Sequence, residues 1–388
     1  MKKFFLFVTL ALAGGMVHSQ NVGIGTNTPE AKFSVGANSQ FRVDENGNLI
    51  RINNVPMAFP GVQGANGQVL VNNGSGVLTW TNYAPSICGD GSAGDLFVGT
   101  GMVRSLMANG SDASLPGGAN LNFNNITIAG TLFIPSGMVL KASGNVTING
   151  IIAVQVPPNN TMPHPGVSNA AADLYSGGTG LYFFQAASLV KAPLQSGGSG
   201  KLPVLGEGGT GGGGLTIYAK GNITIGSGGL LDLRGRNGVN PQTAGIGING
   251  SGGGAGGVVI LAAKGNITNS GNILATGGNG ANGFNGNGGF GEGGGGGGGG
   301  GIVVMITNGT ISAGTVNVNG GAAGSNAAAV FPNTTINSGG GGGACGGNGG
   351  NGGGTIPGTS GTATPAAGSV GYLIRINADI DHYIPGRQ

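Results

Sequence analysis

Three histidines, twelve acidic residues and two cysteines bound the chemistry open to this chain. His18 falls in the leader described below. His164 stands in Met-Pro-His-Pro, a rigid turn, and reads as a surface-loop residue and not as a base. His382 belongs to Asp379-Ile-Asp381-His382-Tyr383, groups that could touch a metal but that read as a solvated tail at a terminus. Between residues 200 and 370 the acids are Glu207, Asp232 and Glu292. They stand too far apart for the paired general acid and base that glycoside cleavage needs. Asp232 and Arg234 would share a face of a strand, where an ion pair is the plain reading. Glycine strings that match a dinucleotide-binding pattern follow from composition and carry no weight. There is no zinc spacing, nucleophile elbow or phosphate loop. The expectation is therefore no enzyme activity, no cofactor and no metal.

Glycine dominates the chain, at 92 of 388 residues, with 38% hydrophobic, 5% aromatic and 7% charged residues. The apolar runs suffice for a core and are richer than a disordered chain carries. Between Lys264 and Arg375 there is no basic residue, which excludes nucleic-acid binding through that region. Cys88 and Cys345 read as two small buried residues, with a disulfide in an oxidising compartment as the alternative.

The elements that must position any site show a clear period. LTIYAKGNITI from Leu215, VVILAAKGNITNSGNILATGG from Val258 and IVVMITNGTISAGTVNVNGG from Ile302 are copies of one unit. Ile223, Ile267 and Ile311 stand 44 residues apart, as do Gly221, Gly265 and Gly309. Such a period signals stacked units, each unable to bury its apolar face alone. Each unit reads as two strands and a turn followed by a glycine-rich excursion. The β-branched strands of 125–156 are short and closely spaced, which suits the flat sides of a β-solenoid. The stretch 157–180 reads as an excursion, Leu181–Val190 as a strand or short helix, and Ser369–Ile376 as the last strand of the stack. The Asn-Ile-Thr triplets at Asn222 and Asn266 fit a glycosylation pattern, but backbone-bonding Asn at a repeated turn explains them without modification.

The excursions are 196–214, 235–257, 277–301 and 338–368. From Gly277 to Gly291 every triplet opens with glycine, and Gly346–Gly354 repeats the phase. Glycine at every third residue leaves one edge of a three-residue-per-turn helix bare, so that backbones can pack side by side as polyglycine-II. Ordering glycine costs about 1–2 kcal/mol per residue, so only a shared hydrogen-bond network between excursions offsets it. A flexible low-complexity linker is the alternative.

Lys2 and Lys3 precede an apolar run from Phe4 to Val17, and Val17-His18-Ser19 offers a cleavage site before Gln20, so residues 1–19 read as a signal peptide. The run is short for a membrane span and no other candidate follows, so no span is expected in the mature chain. Next comes Val22–Thr26 with Pro29, Ala31, Lys32 and Val35, a VGIGTxxPxAK stretch with Phe33 where leucine is usual. This resembles the amino-terminal segment of exported Bacteroidota surface proteins of fibre or adhesin character. The patch Gly64–Asn82 reads as a hairpin, Gln68–Val71 against Val77–Thr81, and resembles repeats that follow in such proteins and in phage tail fibres. In those relatives such strands often assemble as trimeric stalks, so the resemblance implies a homotrimer. The glycine tracts resemble the polyglycine-II layers of phage adhesin tips and glycine-rich antifreeze proteins.

The expected organisation is all-β: 1–19 signal peptide, 20–85 a small β stalk-like segment, 86–116 a connector, 117–195 a short-stranded β region, 196–376 the 44-residue β-solenoid-like repeats with their polyglycine-II excursions, and 377–388 a tail. The expected function is a secreted or cell-surface adhesin that contacts surface glycans or another cell, with Tyr218, Phe284, Phe290 and Phe331 as candidate binding aromatics. Phe284 and Phe290 are anchors if exposed at excursion tips and core if tucked beneath them, and burial of aromatic area favours the core. Alternatives are a structural fibre or matrix component, a polysaccharide-degrading β-helix enzyme, and an ice-binding protein. Against the last, no Thr-x-Thr ladder persists through the copies.

Overall fold

The computed structural model describes residues 21–384, apart from 54, 66–67, 73, 83–86, 107–119, 156–174, 192–195, 202–206 and 356–360. The leader and His164 lie outside the described residues, and so does the side chain of His382. The chain divides into two units at Ala84/Pro85.

In the first unit, Val22–Ile24 pairs parallel with Phe33–Val35, and Phe41–Val43, Leu49–Ile52 and Val55–Pro56 continue the sheet antiparallel. The turn into Leu49 is held by Asp44, whose Oδ1 accepts the N–H groups of Asn46 and Asn48 at 2.9 and 2.8 Å. The expected hairpin is present as Gln68–Asn72 against Leu78–Asn82.

The second unit is built on three six-stranded sheets, each entirely parallel and each in chain order. The first sheet contains Asn122–Phe123, Met138–Ala142, Gly214–Ala219, Val258–Ala263, Ile302–Thr307 and Tyr372–Asn377. The second contains Leu96–Val98, Ile126–Ile128, Val146–Ile148, Ile223–Ile225, Ile267–Asn269 and Ile311–Ser312. The third contains Val103–Ser105, Thr131–Pro135, Ile151–Gln155, Leu230–Asp232, Asn272–Leu274 and Thr315–Asn317. A complete pass of the chain thus lays one strand in each sheet. The 44-residue alignment is the ladder register itself, since Ile223 pairs with Ile267 and Ile267 with Ile311.

Two expectations need correction here. Each copy supplies three strands, not two. The supposed connector 86–116 supplies Leu96–Val98 and Val103–Ser105, which pair with Ile126–Ile128 and Thr131–Phe133. Three-residue strands bounded by Gly-Asp and Gly-Thr look like loop in isolation, and only a neighbouring strand completes them.

One core draws on all three sheets, with Leu215, Ile217, Ile223, Ile225 and Leu231 among its fully buried members. The first sheet is also covered on its other face, where Val258, Ile260, Ala262, Val304 and Ile306 pack with Cys88, Cys345, the helix Phe183–Ser188 and the C-terminal Ile380 and Ile384. Burial on both faces explains why its strands VVILAA and IVVMIT are continuous apolar runs. Second-sheet strands such as Ile223–Ile225 alternate buried and half-buried, as a one-faced strand should. The 377–388 segment is not a solvated tail over its described part. Ile380–Tyr383 is a helical turn capped by Asp379, and Asp381 forms an ion pair with Lys264.

All four glycine-rich excursions return into the first sheet, and 235–257 and 277–301 leave directly after a third-sheet strand, so their backbones meet. Their hydrogen bonds have a period of three. Gly250, Gly253 and Gly256 donate to Gly293, Gly296 and Gly299; Gly252 and Ala255 donate to Lys201 and Gly198; Gly254 and Gly257 donate to Arg236 and Leu233. Successive residues therefore reach three different neighbours in rotation. The run Gly293–Gly301 sits at the centre. It donates to 275–281, 340–343 and 366–369, and accepts from 250–256, 321–324 and 347–353. Six neighbours leave no direction for a side chain: a Cβ at Gly297 would collide with the carbonyl oxygen of Gly321, and one at Gly298 with that of Gly254. Peripheral tracts have one open direction, and there the third residue is not glycine. Asn279 and Asn282, Ala322 and Ser325, and Asn348 and Asn351 are all exposed.

Candidate functional site

Where the third sheet gives way to the glycine tracts, the backbone period changes from two to three. Leu233 donates to Leu274 and turns its side chain into the core, while Gly235 donates to Thr276 and Arg236 to Thr210. Asp232, Arg234 and Arg236, each two residues from the last as on one face of a strand, line one side of an open groove of about 740 Å³. Its other lining includes Phe133, Val154, Thr210, Asn237 and Asn279.

The electrostatics of the groove are lopsided. Arg234 holds Asp232 through two hydrogen bonds, Nε to Oδ1 at 2.8 Å and Nη2 to Oδ2 at 2.7 Å, the ion pair expected from their spacing. Burial pushes the Asp232 carboxyl up, but the Arg234 hydrogen bonds and charge, with Arg236 adding, hold it below its ordinary value. The Arg236 guanidinium has no hydrogen-bond partner among the described residues. Asn237 accepts the N–H of Asn279, and Asn279 that of Ala322, each at 2.8 Å, so both amide oxygens are occupied and both NH₂ groups remain as donors. Thr210 is 7% exposed and its hydroxyl has no partner among the described residues. Donors outnumber acceptors, and the one carboxylate is already used.

The four aromatics expected from sequence do not gather at this groove. Tyr218 is a correction: only 5% exposed, it packs behind the first sheet beside the Cys88 cluster and has no surface to offer. Its phenol is pushed up to about 12 by burial and by neighbouring Cys88. Phe284 is half-buried, in a two-residue strand against Gly247–Ile248. Phe290 is 51% and Phe331 91% exposed, so the core placement fails for Phe290. The sequence reading passed over Tyr182, Phe183 and Phe184, which open a helix with Tyr182 75% and Phe184 85% exposed. Phe183 stands edge-on to Phe184 and Tyr372 at centroid distances of 5.7 and 5.8 Å. Three consecutive aromatics before Gln-Ala-Ala were the available signal. Cys88 and Cys345 are both buried thiols with no disulfide, as two small core residues should be.

The second sheet carries two columns on its outer side. Asp95, Asn125, Asn145 and Asn222 each accept, through Oδ1, the N–H of the residue below: Asn125, Asn145, Asn222 and Asn266, at 2.7–2.9 Å. Asn266 does the same for Thr310 at 2.9 Å. The Asn-Ile-Thr triplets are thus rungs of a backbone-bonding ladder, as read from the sequence. Two residues on, Thr127, Thr147, Thr224 and Thr268 align in register.

No family model matches the chain, and comparisons with curated proteins and with solved structures find no match. The functional reading therefore rests on this geometry: a polar, donor-rich groove with an apolar wall, set on a backbone hydrogen-bonded from every side.

Proposed function

We propose that this chain is an exported surface protein that acts by contact, its second unit a β-solenoid carrying a polyglycine-II lattice and its groove a site for an acidic saccharide. The observation that carries this reading is the excess of donors over acceptors around Arg236. A guanidinium with no hydrogen-bond partner among the described residues suits a carboxylate, which it can grip with two parallel hydrogen bonds. Phe133 and Val154 supply the apolar surface that the C–H face of a sugar ring needs. The lattice beneath is already ordered, so binding costs little further entropy. Because Asp232 is committed to Arg234 and held ionised, binding is favoured over polysaccharide cleavage, which would ask that carboxyl to give a proton.

The leader and the VGIGT segment support export to the cell surface, and their resemblance to Bacteroidota surface proteins supports a lineage. The first unit exposes Val22, Ile24, Val55, Val62 and Val71 at 42–75%, which supports its association with copies of itself as a trimeric stalk. Light scattering on the mature chain would give three times the monomer mass; a monomer contradicts the trimer.

The ligand class is tested by titrating the mature chain with an oligogalacturonate and with its methyl ester, which keeps shape and loses charge. The free acid should bind about tenfold to a hundredfold more tightly, and Arg236→Gln should erase the difference. Equal affinity for both forms contradicts the groove. Self-assembly into fibres with no glycan bound would favour the structural alternative. A second reading, ice binding, is favoured by the single threonine column in register on a parallel sheet; thermal hysteresis that falls on Thr224→Val would support it, and its absence would exclude it.

A further inference from the structure

Glu292 is the only acidic residue between Lys264 and Arg375, and that stretch holds no basic residue to neutralise it. Its side chain is 2% exposed, forms no ion pair among the described residues, and leaves Oε2 with no hydrogen-bond partner. A carboxylate in that condition is costly, because burial removes water and nothing replaces it. Burial also raises its proton affinity.

Two more buried oxygens nearby are in the same state, Oδ1 of Asn249 and Oδ1 of Asn285. Strand pairing and the close approach of Glu292 to Gly247 place them together. Gly247 pairs with Asn285, and directly paired residues turn their side chains to the same side. The side-chain position that Gly247 leaves vacant is filled by the Glu292 carboxylate, which a Cβ there would strike. Asn249 lies two residues on from Gly247, the same-face spacing of an extended chain. The Asn285 amide is oriented by its NH₂ group, which donates to the Ala328 carbonyl at 2.8 Å, so its oxygen faces away from that bond. The Asn287 Nδ2 lies beside the same vacant position as Oε1, but Oε2 and the two amide oxygens have no donor among the described residues, and three acceptors do not stabilise one another.

We propose that Glu292, Asn249 and Asn285 form an oxygen-lined site for a hard divalent cation, calcium foremost, at the end of the central glycine run. Calcium takes carboxylate, amide-carbonyl and backbone-carbonyl oxygens in flexible geometry and completes its shell with water, whereas magnesium demands a stricter octahedron. The cation would supply the charge that the surrounding sequence lacks. It would also tie Glu292, which opens Gly293–Gly301, to the tracts at 247–249 and 284–285, so its effect is on lattice stability. The site is independent of the groove at Arg236.

The test uses the mature chain, stripped with a chelator and then dialysed against calcium. Metal analysis should find about one tightly held Ca²⁺ per chain, and the melting temperature should rise on adding calcium. Glu292→Gln should lose both, and Asn249→Ala should weaken binding while leaving a folded chain. The proposal is overturned if the wild type holds no calcium and melts alike with calcium and chelator, the result expected of a protonated Glu292. It is equally overturned if Glu292→Gln binds as much calcium as the wild type.

Discussion

At the scale of single residues, whether glycine is required depends on how many neighbours surround the backbone. Gly297 is enclosed by neighbouring tracts, and Gly297→Ala should cost about 3 kcal/mol or more, because a carbonyl oxygen occupies the Cβ position. Asn279 faces solvent and accepts one backbone N–H, so Asn279→Ala should cost only about 1 kcal/mol. Denaturant unfolding of both variants measures the difference. Titration gives a second residue-scale prediction. Burial pushes the Cys345 thiol from 9.0 up to about 12, and burial with neighbouring Cys88 takes Tyr218 from 10.0 to about 12. Both are neutral when protonated, so their contribution to stability is full below pH 9 and is lost as pH rises toward 12. A melting temperature flat to pH 9 and falling above it is expected; Tyr218→Phe should soften the fall.

At the scale of elements, the first sheet differs from the other two by having cover on both faces. Ile260→Ala on the outer face and Leu261→Ala on the inner should each cost about 2–5 kcal/mol, while Thr268→Ala on the second sheet stays within about 0.5 kcal/mol. Equal tolerance at Ile260 and Thr268, read by thermal unfolding, would contradict the double-sided burial. What the sequence reveals follows the same division. The apolar runs at Val258 and Ile302 and their 44-residue register were legible because each carries its own hydrophobic signal. Asn272–Leu274 and Thr315–Asn317 were not, since a three-residue strand with at most one buried side chain has no period to detect. The groove was half legible. Spacing indicated the Asp232–Arg234 pair; Arg236, two residues further on the same face, was passed over because the chain there already reads as glycine-rich excursion. Tyr218 misled for a related reason: in a strand buried on both faces, alternation does not mark an outward side.

At the scale of the whole molecule, the sheets and the glycine tracts depend on each other. A net gain of about 1 kcal/mol per hydrogen bond only matches the cost of ordering a glycine, so the tracts alone would be marginal. The stacked sheets bring successive excursions out at one corner and remove much of that cost in advance. In return, the returning tracts and the Phe183–Ser188 helix cover the first sheet's outer face. Amide hydrogen exchange over residues 293–301 tests this account most directly. Each of these nine N–H groups is hydrogen-bonded, eight to backbone carbonyls and that of Gly294 to Asn326 Oδ1 at 2.9 Å. Protection close to that of the Ile302–Thr307 strand is predicted, because the two should open only together. Exchange at the rate of a free glycine chain would contradict the lattice, and with it the rigid platform on which the groove is built.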